Sequence, residues 1–294
     1  MTSRLPKKLA DHPSVRAVLA RPRGEPSPVI DAAWLKEICL AAGADDAAAV
    51  SLGHPDLAGE REHVLRALPG TKTLVSLVVR LNRDDVRSPA RSVANQEFHR
   101  GGEIINEAGH TIVRALQDAG YRAINPSATF PMEMENYPGR IWVVAHKTVA
   151  VAAGLGAMGL HRNVIHPKFV NFVLLATLLV GAEVSSHGEA LDYNPCLECK
   201  LCVAACPIGV SMWQSLAFKP NYKAAYCMAV CPAGEDVLGP YLDDRRGFLG
   251  TVVKPLQDKV EMLYVRPGSP AREYAERRFP HKPVKEVDGG YRTR

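Results

Sequence analysis

The chain has 294 residues, 47% apolar, 23% charged and 6% aromatic. This composition excludes collagen, a coiled coil and wholesale disorder, and it leaves core enough for one large domain or two smaller ones. Lys and Arg number 36 against 31 acids, a net charge of +5. The surplus sits in residues 1–25 and 254–294, and basic arms on a near-neutral body read as solvated tails rather than a nucleic-acid surface.

Residues 1–30 are rich in Pro and Arg and read as a loose basic arm with one short helix; Met1 to Gly24 lacks the apolar stretch of a secretory signal. Asp31 caps a helix running to Ala42, with Trp34, Leu35, Ile38 and Leu40 at helical spacing and Cys39 as a core residue. A strand is expected at Ala48 to Leu52 and a helix at Glu60 to Leu68, ended by Pro69-Gly70. Thr73 to Leu81 is nearly all apolar and reads as the central strand of a sheet. Asn95 to Ala119 reads as a long helix carrying Phe98, Ile105, Ile112, Val113 and Leu116 on one side. A loop from Asn125 to Arg140, a helix from His146 to Ala153 and a strand within Asn171 to Val184 complete an alternating α/β layer. The longest apolar run, Phe169 to Ala182, falls short of the roughly 20 residues that span a bilayer. No membrane role is expected, and a cytoplasmic protein is.

The seven cysteines narrow the class. Six of them lie within 36 residues, and in a reducing compartment such crowding points to metal or redox chemistry. Cys196, Cys199, Cys202 and Cys206-Pro207 form C-x2-C-x2-C-x3-C-P, the spacing of a bacterial [4Fe–4S] ferredoxin. Two-residue gaps let one tight loop wrap three corners of a cubane and point its amides at the sulfurs. A structural zinc site also accepts four thiolates, but usually from separated pairs. The C-x3-C-x2-C of a radical S-adenosylmethionine site is absent.

Cys227 and Cys231-Pro232 repeat the C-x3-C-P ending. In two-cluster ferredoxins the fourth cysteine of each run ligates the other cluster, so Cys196, Cys199, Cys202 and Cys231 complete one. A second would own only Cys206 and Cys227, because position 224 is Ala and no cysteine lies between Pro207 and Tyr226. One cluster is expected, two at most. Three roles are open to Cys206 and Cys227: buried and vestigial, ligands of a second cluster with other partners, or a reactive dithiol.

Gly154-Leu-Gly156-Ala-Met-Gly159 fits G-x-G-x-x-G, yet Pro167 stops any helix soon after it and no acid follows at the dinucleotide spacing. The glycines read instead as a turn that approaches something bulky. His146-Lys147, this glycine turn, the long apolar strand and then Asn194-Pro195-Cys196 opening the cysteine run resemble the epoxyqueuosine reductase and reductive dehalogenase superfamily over about residues 30–240. The resemblance implies an α/β cobalamin-binding-like domain followed by a small ferredoxin-like [4Fe–4S] lobe, with electrons passing from cluster to cobalamin. The corresponding layout is an arm at 1–30, the α/β domain at 31–190, the iron–sulfur domain at 191–240 and an extension at 241–294. His146, Lys147, Gly154, Gly156 and Gly159 become candidates for lining the cofactor pocket, with Ser127, Thr129 and Tyr137 as polar companions.

Two features depart from the family. Epoxyqueuosine reductases carry Asp-Ser-Ala-Pro with the Asp as proton donor, and the matching stretch here is Asn125-Pro126-Ser127-Ala128-Thr129, with Pro126 in the acid's place. Ligands for one cluster stand where the family has two sets. The expectation is an iron–sulfur oxidoreductase other than an epoxyqueuosine reductase, acting on a cofactor or small substrate. The alternative is an electron carrier that docks a partner protein.

Overall fold

The computed structural model describes residues 8–20, 27–128, 143–204, 226–233 and 236–253, with 263–265, 273, 276–277, 280 and 283–286. In chain order the elements up to the cysteine run are α1 (Pro13–Leu19), β1 (Val29–Ile30), α2 (Ala32–Ala41), β2 (Asp46–Ser51), α3 (Arg61–Ala67), β3 (Thr73–Arg80), α4 (Arg83–Arg87), α5 (Arg91–Asp118), β4 (Ala123–Ile124), α6 (His146–Ala152), β5 (Ala157–Met158), β6 (Val164–Ile165), β7 (Val173–Val180) and β8 (Glu183–Val184). Asp31 caps α2 as expected, its carboxylate accepting from the Trp34 amide at 2.7 Å. No helix among the described residues is long and apolar enough to cross a membrane.

A four-stranded sheet in the order β2-β3-β7-β4 forms the middle layer. On one face Val75, Leu77 and Val79 of β3 and Ala176 and Leu178 of β7 pack on Leu35 and Cys39 of α2 and on Ile105, Ile112 and Leu116 of α5. On the other, Leu74 and Leu179 meet Val64 of α3 and Val149 of α6. Covering on both faces explains the largely apolar run of β3, buried from Thr73 to Val79 with Ser76 its one interior polar residue. Cys39 is fully buried, and burial pushes its thiol up to about 12 against the pull of Lys36, as suits an inert core residue.

The layers are those the sequence suggests, but the strand directions are not those of a parallel α/β sheet. Every pairing in the central sheet is antiparallel; β1 and β8 pair in parallel beside it. Alternating helices and strands set which residues are buried, whereas direction depends on the end at which each connection re-enters the sheet. Helix α5 also begins earlier than its apolar periodicity suggests, because Arg91–Ala94 adds a turn ahead of Phe98.

Two backbone crossings fix the path toward the cysteines. Gly154, just past α6, has φ +78°, and a Cβ there would stand 2.1 Å from the Glu189 carbonyl oxygen. Reciprocally, a Cβ on Gly188 would stand 2.0 Å from the Ala153 carbonyl oxygen. The Gly188 amide donates to Ala49 at 2.8 Å, tying the crossing segment to β2. Only glycine permits such contact from both sides.

A carboxylate knot ties the edge strand β2 to the segment after β6. Asp46 accepts from Lys36, from the Ala47 amide at 2.8 Å and from His166 Nε2 at 3.0 Å. The Lys168 and Phe169 amides donate to His166 Nδ1, which leaves the ring proton on Nε2, facing Asp46. Burial alone would raise the Asp46 carboxyl, but the bonds from His166 and Lys36 outweigh it and hold the group below the usual carboxylate range. A depressed carboxylate stabilises the fold above its unfolded pKa and loses that contribution as pH falls through the folded value. Asp46→Asn will therefore lower the denaturation midpoint at pH 7 and flatten the loss of stability below about pH 4, as acid titrations of both proteins will read. Gly154→Ala or Gly188→Ala will each destabilise by more than about 1 kcal/mol in chemical denaturation. Gly59→Ala, where an added Cβ would meet nothing within 4 Å, is the control that leaves stability near wild type.

Candidate functional site

The cysteine run opens on a fixed amide. Asn194 Oδ1 accepts the Cys196 N–H at 2.9 Å, while its Nδ2 donates to the Met158 carbonyl in β5 at 3.1 Å. Glu198 and Lys200 then take left-handed conformations, with φ of 52° and 63°. Such alternation turns successive amides inward and makes the concavity that receives anions and iron–sulfur groups. Cys202 sits on the short helix Leu201–Ala204, and Cys227 on the helical turn Tyr226–Ala229. Cys231 follows that turn, its amide donating to the Met228 carbonyl at 3.2 Å.

Cys202, Cys227 and Cys231 are buried; Cys196 and Cys199 are half-buried. The other four all act electrostatically on Cys202. Burial is the largest influence raising the Cys202 thiol, followed by Cys227, Cys231, Cys199 and Cys196. Burial likewise raises Cys199. Cys206 lies outside the described residues. Among the described residues, no group of three or more His, Cys, Asp or Glu side chains is arranged to hold a single metal ion.

The α/β layer holds this lobe with residues that the motif reading did not single out. Cys202, Cys227, Met228 and Cys231 share an apolar cluster with Leu81, Val86, Phe98, Ile165 and Phe172. Arg87 Nε donates to the Ala229 carbonyl at 3.1 Å and Asn171 Nδ2 to the Met228 carbonyl at 3.2 Å. Asn163, in the β5–β6 hairpin, points Nδ2 at Cys227 Sγ at 3.9 Å. Polar residues in turns look alike in a sequence, and nothing in the spacing marks these three.

The five residues nominated for a cofactor pocket have these surroundings among the described residues. His146 begins α6 and is buried; burial takes its imidazole down to about 4, opposed by a Ser127 backbone bond and by Glu60. Lys147 Nζ donates to the Arg162 carbonyl at 2.6 Å and to Asn163 Oδ1 at 2.8 Å. A Cβ on Gly156 would meet the Ile165 carbonyl oxygen at 2.5 Å, and one on Gly159 the His161 ring at 2.6 Å. With Gly154 against Glu189, all three glycines are filled by the chain's own atoms. On the side where a side chain would project, each glycine meets protein, which accounts for glycine at these turns. Of the polar companions, Ser127 lies beside His146, whereas Thr129 and Tyr137 lie outside the described residues.

No protein-family profile matches the chain. Over 79 residues it is 35% identical to an epoxyqueuosine reductase of Leadbetterella byssophila, and it spans 26% of that curated relative. Among solved structures it resembles a reductive dehalogenase described with a mechanism for B12-dependent dehalogenation, with a TM-score of 0.54 and 14% identity over 77% of this chain and 34% of that one. An epoxyqueuosine reductase from Streptococcus thermophilus aligns with a TM-score of 0.46 and 14% identity over 78% of this chain and 79% of its own. The chain is thus similar to the epoxyqueuosine reductase and reductive dehalogenase-like superfamily, in sequence over one segment and in mixed α/β fold over most of its length.

Proposed function

We propose that the protein is an iron–sulfur oxidoreductase that holds one [4Fe–4S] cluster on Cys196, Cys199, Cys202 and Cys231. The observation that carries this reading is the gathering of four other thiols about buried Cys202, which burial and then Cys227, Cys231, Cys199 and Cys196 push up. Such thiols cannot ionise together in an apolar setting unless positive charge arrives with them, and iron supplies it. In a cubane each thiolate takes a different iron, so its ligands need not converge on one point as they would for zinc. When bound, the cluster supplies a one-electron relay with a potential between about −700 and +450 mV.

The chain's own residues do the rest. Asn194 fixes the first ligand, the left-handed turns at Glu198 and Lys200 present amides, and the Phe172 cluster keeps water from the buried side. Cys227 stays outside the four-ligand set. Electrons would pass to a small substrate or cofactor on the α/β layer; no step is routed through cobalamin. Pro126 in the family's proton-donor position supports a substrate other than epoxyqueuosine.

Protein reconstituted without air will hold about four irons and acid-labile sulfide per chain. Cys196→Ser will lose them and Cys206→Ser will keep them. Zinc without sulfide would overturn the redox reading, and about eight irons would overturn the single cluster.

A further inference from the structure

A set of polar side chains beneath the cysteine lobe takes no part in the apolar layers. Lys147 holds Asn163 by its Oδ1 at 2.8 Å, and this orients the Asn163 amide nitrogen toward Cys227 Sγ at 3.9 Å, the outer reach of an N–H···S contact. The Asn163 backbone amide donates to His161 Nδ1 at 3.0 Å, which leaves the ring proton on Nε2. His161 is buried, and Nε2 has no acceptor among the described residues. Cys227 in turn packs with Cys202 and Cys231. The α/β layer therefore aims an ammonium-anchored amide toward the sulfur-rich lobe, with the His161 imidazole holding the backbone of the same residue.

We propose that Lys147, His161 and Asn163 are positioning residues through which the α/β layer sets the reduction potential of the iron–sulfur centre, acting by way of Cys227. The inference rests on the cluster assigned above. One-electron reduction adds a negative charge to a poorly solvated lobe, and a nearby cation and N–H dipoles favour that reduced state. Lys147 is suited to this because it is half-buried, which weakens screening by salt. Burial lowers it to about 8, with Cys227 pulling the other way, so it carries its charge at pH 7. Lys147 and the hairpin beyond the glycine turn then serve the metal centre rather than a cobalamin pocket.

The test is potentiometric titration at pH 7 of the iron-loaded full chain, followed by electron spin resonance. Lys147→Met is expected to shift the midpoint to more negative values by at least a tenfold change in the reduced-to-oxidised ratio at fixed poise, about 59 mV for one electron. Lys147→Arg restores most of it. Asn163→Asp, which keeps an acceptor for Lys147 but turns a carboxylate toward Cys227, shifts the midpoint the same way. Wild-type protein without iron or sulfide would sink the cluster assignment itself. Wild type and variants that load equally and share one potential would overturn this proposal and leave the cluster assignment standing. Should Lys147→Met fail to load, Asn163→Asp and His161→Phe decide, and unshifted midpoints in both overturn the proposal. Loss of iron from all three also overturns it, since none is proposed as a ligand.

Discussion

Phe172 is almost wholly buried where the sheet layer meets the cysteine segment, and its ring contacts both. Leu81, Val86 and Ile165 belong to the first; Cys202, Cys227, Met228 and Cys231 belong to the second. The guanidinium groups of Arg83 and Arg87 lie over the ring at 5.6 and 5.2 Å from its centroid, an arrangement in which cation and ring attract. Burying such a side chain contributes about 1.5–3 kcal/mol. The same burial removes water from one side of the thiols, so packing and thiol electrostatics have a single origin.

The hydrogen bonds around that ring divide the labour. Arg87 and Asn171 reach main-chain carbonyls of the Tyr226–Ala229 turn, which fixes the turn without touching a sulfur. Asn163 alone among the three reaches a sulfur atom. A polar contact to a carbonyl secures position, whereas one to sulfur also alters the energy of whatever charge the sulfur carries.

Much of this was legible in the sequence where chemistry or periodicity leaves little choice. Near-continuous apolarity after Thr73 marks a strand covered on both faces, and Asp31 marks the start of its helix by offering a suitable cap. The two-residue gaps among Cys196, Cys199 and Cys202 mark one tight turn of ferredoxin spacing, and the structure bends the chain there through left-handed Glu198 and Lys200. What the sequence did not disclose was relational. Antiparallel pairing between β3 and β7 depends on how a connection of more than ninety residues returns. The glycines announced a turn, but not that Gly154 meets a second backbone segment whose own glycine, Gly188, carries no motif. Asn163 meets Cys227 across 64 residues, a distance over which spacing says nothing.

The left-handed Glu198 and Lys200 carry a thermodynamic implication. Residues with a β-carbon enter that region at a cost of about 1–2 kcal/mol each, and here both occur within a five-residue stretch. Each therefore sits where a glycine would be at ease, and Cys199 is held between them. Relaxing either bend to glycine would cost the turn its stiffness, so the orientation of that middle thiol depends on two neighbours that bear no sulfur themselves.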